Sequence, residues 1–456
     1  MSGRERVPVA AVLGAGLLLA WPAAWNGYPL VFADTGTYLG QAILLYLGWD
    51  RPPHYSVFLH AAHWRVTLWT IPLVQGLIAA HLLALALRVL DRPGPVPLLG
   101  LAGLLAIGTG LPWLAAQVMP DVFTGLLAIV LWLLGFGRAR LARGERIWLF
   151  LLAAGMVASH LSHLPLALGL ALVGGVLGAL RAGAGQGAAT AGRMAAPAAL
   201  AVLALVGANA AGHGRVSVSP FGSVFMAARL LEDGPALRTL DALCPTQGWQ
   251  VCTLRGQLPL PANDFLWPPE GPLRGPLGGG KAWAAEASAI VAATLAREPG
   301  AVALAVAHNA LGQFVMLGTG DGLQPWPGEP GPEPLIAAHF PAREVAAYRA
   351  SRQQAGLLER DVSRFVALHV LLAWSALAML PVLAWLRRRE AAACALCLLV
   401  LATAIGNATL TGGLSGVNER YQGRIAWLFV FTAAAVVASA RQRVLLREPV
   451  ERRHAA

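Results

Sequence analysis

Long apolar runs with almost no charge are the feature that most limits what this chain can fold into. A helix needs about 17 to 25 such residues to cross the hydrocarbon core of a membrane, and ten segments meet this requirement. They lie at residues 7–25, 66–90, 96–117, 120–136, 147–164, 165–180, 194–211, 365–386, 391–410 and 424–440. Charged residues make up only 12% of the chain, about half the usual share in soluble proteins. We therefore predict an all-α fold, a polytopic helical membrane protein with about ten transmembrane helices.

The first apolar run begins like a signal peptide, because Arg4 and Arg6 precede it. It is not followed by a cleavage site of small residues and a hydrophilic stretch. The aromatic residues Trp21, Trp25 and Tyr28 come instead, a pattern typical of a helix end at the membrane surface. We expect this first helix to stay uncleaved.

The distribution of arginine predicts the orientation in the membrane. Lys281 is the only lysine among 34 basic residues, and 18 arginines fall in the termini and loops on one side of the ten predicted spans. The short loops on the other side contain four arginines. Because cytoplasmic loops are enriched in basic residues, we predict a multi-pass protein of the cytoplasmic (inner) membrane with both termini in the cytoplasm. The net charge of +11 then reflects topology and contact with anionic membrane lipids, and we expect no nucleic-acid partner.

Three domains are predicted from this topology. Residues 1–211 form an N-terminal transmembrane module of seven spans, with a long first external loop at 26–65. Residues 212–364 are the one long polar insertion, for which we predict a mostly helical extracytoplasmic domain, and residues 365–456 form a module of three spans with a cytoplasmic tail. In the external segment CPTQGWQVC, Cys244 and Cys252 stand close together in an oxidising compartment, which favours a disulfide.

The uncommon polar residues beside the apolar runs all fall on the predicted external side. They are Asp34, Arg51, Asp121, His160, His163, Glu419 and Arg420. Ionisable residues at membrane depth are costly, so their gathering on one side indicates a single external active site. Among them, Arg51 and Arg420 carry the planar guanidinium group that binds phosphate oxygens in pairs.

Three short motifs resemble those of the glycosyltransferase-C superfamily. In the first loop, Asp34 follows the first span, Tyr38 comes four residues later, and the sequence RPP leads into an apolar helix. The other two motifs are VMPDVFTGLL at the start of the fourth span and ERYQGRIAWL before the last one. Members of this superfamily are multispanning enzymes that use polyprenyl-phosphate-linked sugars, such as protein O-mannosyltransferases and lipid A aminoarabinose transferases. The resemblance covers about residues 1–180 and the last spans.

The resemblance implies roles for individual residues. Asp34 matches an acidic residue that acts as catalytic base, or that orients the acceptor and any divalent metal. Asp121 matches a second acidic residue at the external start of the fourth span, and Arg420 with Tyr421 matches an Arg-Tyr pair near the lipid phosphate. Thr35 stands where many members have another acid, which weakens a paired-carboxylate or metal site. The expected reaction is sugar transfer from a polyprenyl-phosphate donor to an envelope glycan, lipid or protein on the external face.

Other interpretations of the same residues stay open. Asp34 and Asp121 each precede a predicted helix and are also suited to cap it. Arg51 and Arg420 are also suited to anchoring lipid headgroups, and Glu419 stands beside Arg420 in the same loop. His160 and His163, three residues apart, suit metal ligands, hydrogen-bonded interfacial residues or substrate contacts. The alternative functions are a transporter or flippase of a lipid-linked precursor, and a non-enzymatic membrane scaffold.

Overall fold

The computed structural model describes residues 7–451, and the side chains of residues 7–439. Four of the arginines that contribute to the predicted orientation, Arg4, Arg6, Arg452 and Arg453, lie outside the described residues, and so do the side chains of Arg441, Arg443 and Arg447. All regular elements in the described part are helical, and the one β-contact there is an isolated parallel bridge between Leu30 and Gln117.

Residues 7–451 form 21 α-helices and two 3₁₀ turns. The first module contains α1 (Val9–Leu19), α2 (Trp21–Asn26), α3 (Ala33–Leu44), α4 (His54–His63), α5 (Thr70–Val89), α6 (Pro95–Gly108), α7 (Leu111–Ala116), α8 (Val122–Phe136), α9 (Arg143–Ser159), α10 (His163–Ala182) and α11 (Ala184–His213). The segment after it contains α12 (Gly222–Glu232), α13 (Pro235–Gln247), α14 (Ala262–Leu266), α15 (Gly280–Arg297), α16 (Pro299–Phe314), α17 (Glu333–His339) and α18 (Ala342–Arg349). The last helices are α19 (Leu358–Leu386), α20 (Ala391–Leu414) and α21 (Glu419–Glu451), and the 3₁₀ turns are Arg138–Arg140 and Gln250–Gln257.

Six of the described helices are long and apolar enough to cross a membrane, which supports a multi-pass membrane protein. They are α5, α10, α11, α19, α20 and the part of α21 up to Ser439. The α15–α16 pair passes the same test only when taken together, and it is bent by 102°. The prediction of about ten spans is therefore not confirmed.

Of the four predicted spans that fall short, two are broken near a proline, and the other two form α8 and α9, of 15 and 17 residues. The predicted span 7–25 divides after Leu19, just before Pro22, and the predicted span 96–117 divides after Gly108, just before Pro112. Proline fixes its own backbone and favours the first turn of a new helix, so each run becomes two shorter helices. Between the predicted fifth and sixth spans the break falls after Ser159, and α10 begins at His163.

The centre of the bundle is α8, where every residue from Val122 to Gly135 is buried. It packs against α5, α9, α10, α11, α20 and α21. Its Gly125 lets the ring of Trp427 approach so closely that a Cβ atom there would lie 2.7 Å from it. The start of α8 and the start of α21 are thereby brought side by side.

The segment 212–364 is mostly helical and packs against both transmembrane modules. Helices α12 to α15 enclose an apolar core, and Cys244 and Cys252 form the predicted disulfide beside it. Helix α16 packs along α20. The absence of side chains at Gly412 and Gly413 of α20 lets the two helices come into close contact. Helices α17 and α18 share a second apolar cluster with the first loop.

Candidate active site

Short backbone contacts bring the first loop against the start of α8. The amide of Leu30 donates to the carbonyl of Ala116 at 3.0 Å, and the amide of Val118 donates to the carbonyl of Leu30 at 2.8 Å. The Thr35 hydroxyl donates to the carbonyl of Val118 at 3.0 Å and accepts the amide of Phe32 at 2.9 Å. Thr35, at the position of a possible second acid, therefore ties together the two segments that carry Asp34 and Asp121.

Four of the predicted residues join one chain of ion pairs. Arg51 Nη2 lies 2.8 Å from Asp34 Oδ2, and Arg420 Nη2 lies 3.5 Å from the same oxygen. Arg420 Nη2 is also 3.8 Å from Asp121 Oδ2, whose second oxygen lies 3.1 Å from Arg424 Nη1. Three arginines and two aspartates therefore form this series, and the carboxylate of Asp50 also acts on Arg51.

The Arg424–Asp121 pair is the most buried part of this series of ion pairs. The side chains of Arg424 and Asp121 are 0% and 5% exposed, whereas those of Arg420, Asp34 and Arg51 are 15 to 18% exposed. Arg424 Nη2 also donates to Asn407 Oδ1 at 3.0 Å and to Ser162 Oγ at 3.3 Å. The Arg424–Asp121 pair is thus fixed from three helical segments.

Arg420 is held more loosely than Arg424. Both of its contacts with carboxylates are 3.5 Å or longer, whereas Arg424 Nη1 lies 3.1 Å from Asp121 Oδ1. The guanidinium group lies over the rings of Phe32, at 4.1 Å, and Tyr421, at 5.3 Å. An aromatic face attracts a cation without accepting the N–H groups at the edge of the guanidinium plane. Arg420 is therefore the cation of this cluster best placed to accept an anionic ligand.

A cleft opens beside the cluster, between α7, the segment 318–323 and the start of α21. Its lining residues are Gly110, Trp113, Leu114, Gln117, Asp121, Gly318, Thr319, Gly320, Asp321, Leu323, Arg420, Gly423 and Arg424. The cleft is small, about 30 Å³, and its charged lining residues are Asp121, Asp321, Arg420 and Arg424. A volume of this size holds about two waters, so a phosphate would enter only by displacing the surrounding side chains.

Sequence reasoning missed the glycine-rich segment GTGDG at 318–322. A Cβ atom on Gly423 would lie 2.1 Å from the carbonyl oxygen of Gly318, so the two backbones touch. The carboxylate of Asp321 accepts the backbone amide of Arg420 at 3.1 Å. The side chain of Glu419 contacts Gly318 and is not part of the ion-pair chain. The signal for this segment is its run of glycines, which permits close backbone approach.

On the other side, the segment 212–364 covers Arg51. The Arg51 guanidinium lies 5.5 Å from the ring of Trp267, and Trp49 stacks on Phe225 at 5.5 Å. Burial alone would lower the pKa of Arg51, but the carboxylates of Asp34 and Asp50 hold that pKa above its ordinary value. Arg51 is therefore charged at every physiological pH.

Asp50 and Tyr38 also lie beside Arg51. Burial raises the pKa of Asp50 above its ordinary value, although the charge of Arg51 opposes this, and sequence reasoning did not select this residue. Tyr38 is fully buried, packs edge-on against Tyr55 at 5.1 Å, and has its pKa raised by that burial. Tyr38 thus supports the site as an uncharged packing residue.

The two histidines have different surroundings. His163 Nδ1 lies 2.7 Å from the carbonyl of Met156, and its Nε2 lies 2.8 Å from the hydroxyl of Thr124. Because Nδ1 donates to the carbonyl, Nε2 accepts from the hydroxyl, and neither nitrogen is left for a metal. His160 Nδ1 lies 2.8 Å from Ser162 Oγ. Among the side chains that the structure describes, no group of three or more His, Cys, Asp and Glu residues is placed to hold a metal ion.

No protein-family model, curated protein or solved structure matches this chain. The resemblance to the glycosyltransferase-C superfamily therefore stays a prediction. The function of the site has to be inferred from its contacts, its charges and the cleft beside it.

Proposed function

We propose that this protein is a membrane glycosyltransferase that moves a sugar from a polyprenyl-phosphate carrier to an envelope glycan, lipid or protein on the external face. The observation that carries the proposal is the position of Arg420. Its guanidinium group lies loosely between Asp34 and Asp121, beside a cleft, at the start of a helix long and apolar enough to cross the membrane. A cation and a carboxylate side by side at a membrane surface are what such a reaction requires.

In the proposed reaction, the acceptor oxygen bonds to the anomeric carbon of the sugar while the bond from that carbon to the phosphate oxygen breaks. Asp34 takes the proton of the acceptor hydroxyl, as a general base. The electron pair of the broken bond stays on the phosphate, which leaves as polyprenyl phosphate. Positive charge placed beforehand near the departing oxygen stabilises that charge as it develops.

Arg420 supplies this charge by exchanging partners. In the free protein, Asp34 is neutralised by Arg51 at 2.8 Å and by Arg420 at 3.5 Å. A phosphate in the cleft competes for Arg420, because a phosphate offers several strong acceptor oxygens and the existing contacts are long. Asp34 then retains Arg51 alone and becomes a stronger base. Donor binding thus prepares the carboxylate that receives the acceptor's proton.

The donor set does not fit a divalent metal. Asp34 and Asp121 each face two arginines, so arginines already compensate the charge of both carboxylates. A metal ion there would replace attractive ion pairs with repulsion between cations. The guanidinium groups supply the positive charge that a metal ion would otherwise supply, so the proposed mechanism uses no metal.

The proposal is tested by comparing the lipids of cells with and without the gene. Without it, one polyprenyl-phosphate sugar should accumulate, and the wild-type gene should restore its normal level. Asp34→Asn should fail to restore that level while the protein inserts in normal amount. Asp264→Asn, at an exposed aspartate of α14, is the matched control and should restore it fully. An unchanged set of polyprenyl-linked sugars would argue for the scaffold instead.

Arg420 has its own test once a donor is known. Arg420→Ala should raise the KM for the lipid-linked donor by at least about tenfold, because a charge-assisted hydrogen bond contributes roughly 1.5 to 3 kcal/mol. Arg343→Ala, at an exposed arginine of α18, should leave the KM unchanged. An unaltered donor KM in Arg420→Ala would remove Arg420 from the phosphate site.

A further inference from the structure

Two arginines meet at the far end of the helical bundle. Arg181 lies at the end of α10, and Arg388 comes just after the end of α19. Arg181 Nη2 donates a hydrogen bond to the backbone carbonyl of Arg388 at 3.2 Å, so the Arg181 guanidinium lies beside the backbone of Arg388. The Arg388 guanidinium lies 4.6 Å from the ring of Trp385 and donates to its carbonyl at 2.9 Å.

The charge of this region is not balanced by the described side chains around it. Residues 387–390 are three arginines and one glutamate, and Glu390 pairs with Arg387 at 2.7 Å. Neither Arg181 nor Arg388 forms an ion pair with a described carboxylate. Among the described residues, this end of the bundle carries net positive charge. A negatively charged ligand would be attracted to it.

Apolar surface leads directly to the two arginines. Helix α10 exposes a stripe at every fourth position, ending one residue before Arg181, where Leu180 is 79% exposed. Helix α19 exposes Val382, Trp385 and Leu386, and Trp385 is 62% exposed. Both helices are long and apolar enough to cross a membrane, and both pack against α20. Exposed tryptophan next to arginine is typical of the membrane–water interface.

We propose that Arg181 and Arg388 together bind the phosphate of an anionic phospholipid. Its acyl chains lie along the exposed apolar faces of α10 and α19. The guanidinium groups are suited to phosphate because each presents N–H donors in a planar fork. The site is independent of the proposed sugar transfer, since α19 begins beside the cleft, where Val362 meets Gly320, and this site lies beyond its other end.

The test uses the purified full-length protein in a neutral detergent. Phosphatidylglycerol and phosphatidylcholine with identical acyl chains are titrated, and bound lipid is counted by native mass spectrometry while the melting temperature is recorded. Wild-type protein should bind phosphatidylglycerol more tightly and gain more thermal stability from it. Arg181→Gln/Arg388→Gln should lose roughly 30-fold in phosphatidylglycerol affinity. Each basic residue near an anionic membrane surface contributes about fivefold in affinity, and two are removed.

Two controls keep the outcome interpretable. Arg297→Gln/Arg343→Gln removes two exposed arginines from the segment 212–364 and should bind phosphatidylglycerol as the wild type does. Arg181→Lys/Arg388→Lys keeps both charges without the planar fork and should lose less affinity than the glutamine variant, and the melting temperature of each variant without lipid shows whether it is folded. Equal binding of both lipids by the wild type, or equal losses in the two glutamine variants, would overturn the proposal. So would equal stabilisation by glycerol phosphate, which carries the headgroup charge without acyl chains.

Discussion

Replacing Asp121 by asparagine should destabilise the protein much more than the same change at Asp34. The Arg424–Asp121 pair is 0% and 5% exposed, and removing one partner of a buried pair costs about 3 to 5 kcal/mol because the other charge stays buried. Arg424 keeps its bonds to Ser162 and Asn407, so we expect the lower end, about 3 kcal/mol. Asp34 and its partners are 15 to 18% exposed, and Asp34→Asn should cost about 1 kcal/mol or less.

The free energy of unfolding can be measured by titrating SDS into mixed micelles and monitoring tryptophan fluorescence. A double-mutant cycle with Asp121→Asn and Arg424→Gln should give a coupling free energy of at least about 1.5 kcal/mol, because the two side chains are in direct contact. A coupling near zero, or equal losses of stability from Asp121→Asn and Asp34→Asn, would refute the assignment of the inner pair as structural.

Three other predictions concern residues around the site. Thr35→Val removes the hydroxyl that bonds Val118, so it should lower kcat and cost about 1 to 3 kcal/mol of stability, and Thr35→Ser should recover both; an enzyme assay and the SDS titration measure them. Cys244→Ser/Cys252→Ser opens a short disulfide loop and should speed proteolysis within 212–364, as reductant should in the wild type but not in the variant. Burial lowers the pKa of His63 from 6.5 to about 4, with the charges of His60 and Arg65 adding to this. The folded state therefore favours neutral His63, and its contribution to the free energy of unfolding is fully present above pH 6.5 and is lost as the pH falls toward 4. The melting temperature of His63→Gln should depend less on pH in that range than the melting temperature of the wild type.

Composition and apolar runs predicted the helical membrane class but not the number of spans. Hydropathy reports how apolar a stretch is, and it says little about where a helix stops inside that stretch. Pro22 and Pro112 divide two predicted spans, and α9 begins at Arg143, four residues before the apolar run it contains. The disulfide between Cys244 and Cys252 was predictable because both lie close together in the segment predicted to be external, whereas the more closely spaced Cys394 and Cys397 lie in an apolar helix and are free.

The site was predictable in part because charges are rare beside the apolar runs. That rarity singles out Asp34, Asp121 and Arg420, which the structure brings together across as many as 386 residues of sequence. It does not single out Arg424, which the sequence places only in a short loop, or Asn407, which lies within an apolar helix. The partners of a buried arginine are chosen by how helices pack, and a single sequence does not contain that information.

Arg420 and Arg424 are one helical turn apart on α21 and face the same aspartate, yet the geometry gives them opposite tasks. A cation that must exchange a carboxylate for a phosphate has to be held weakly, since every bond it makes in the free protein must be broken when the ligand binds. A cation that fixes the position of Asp121 has to be held strongly for the same reason. Contacts of 3.5 and 3.8 Å at Arg420, against 3.0 and 3.1 Å at Arg424, match this division. Loss of Arg424 should therefore disturb folding first, whereas loss of Arg420 should disturb donor binding in a protein that still folds.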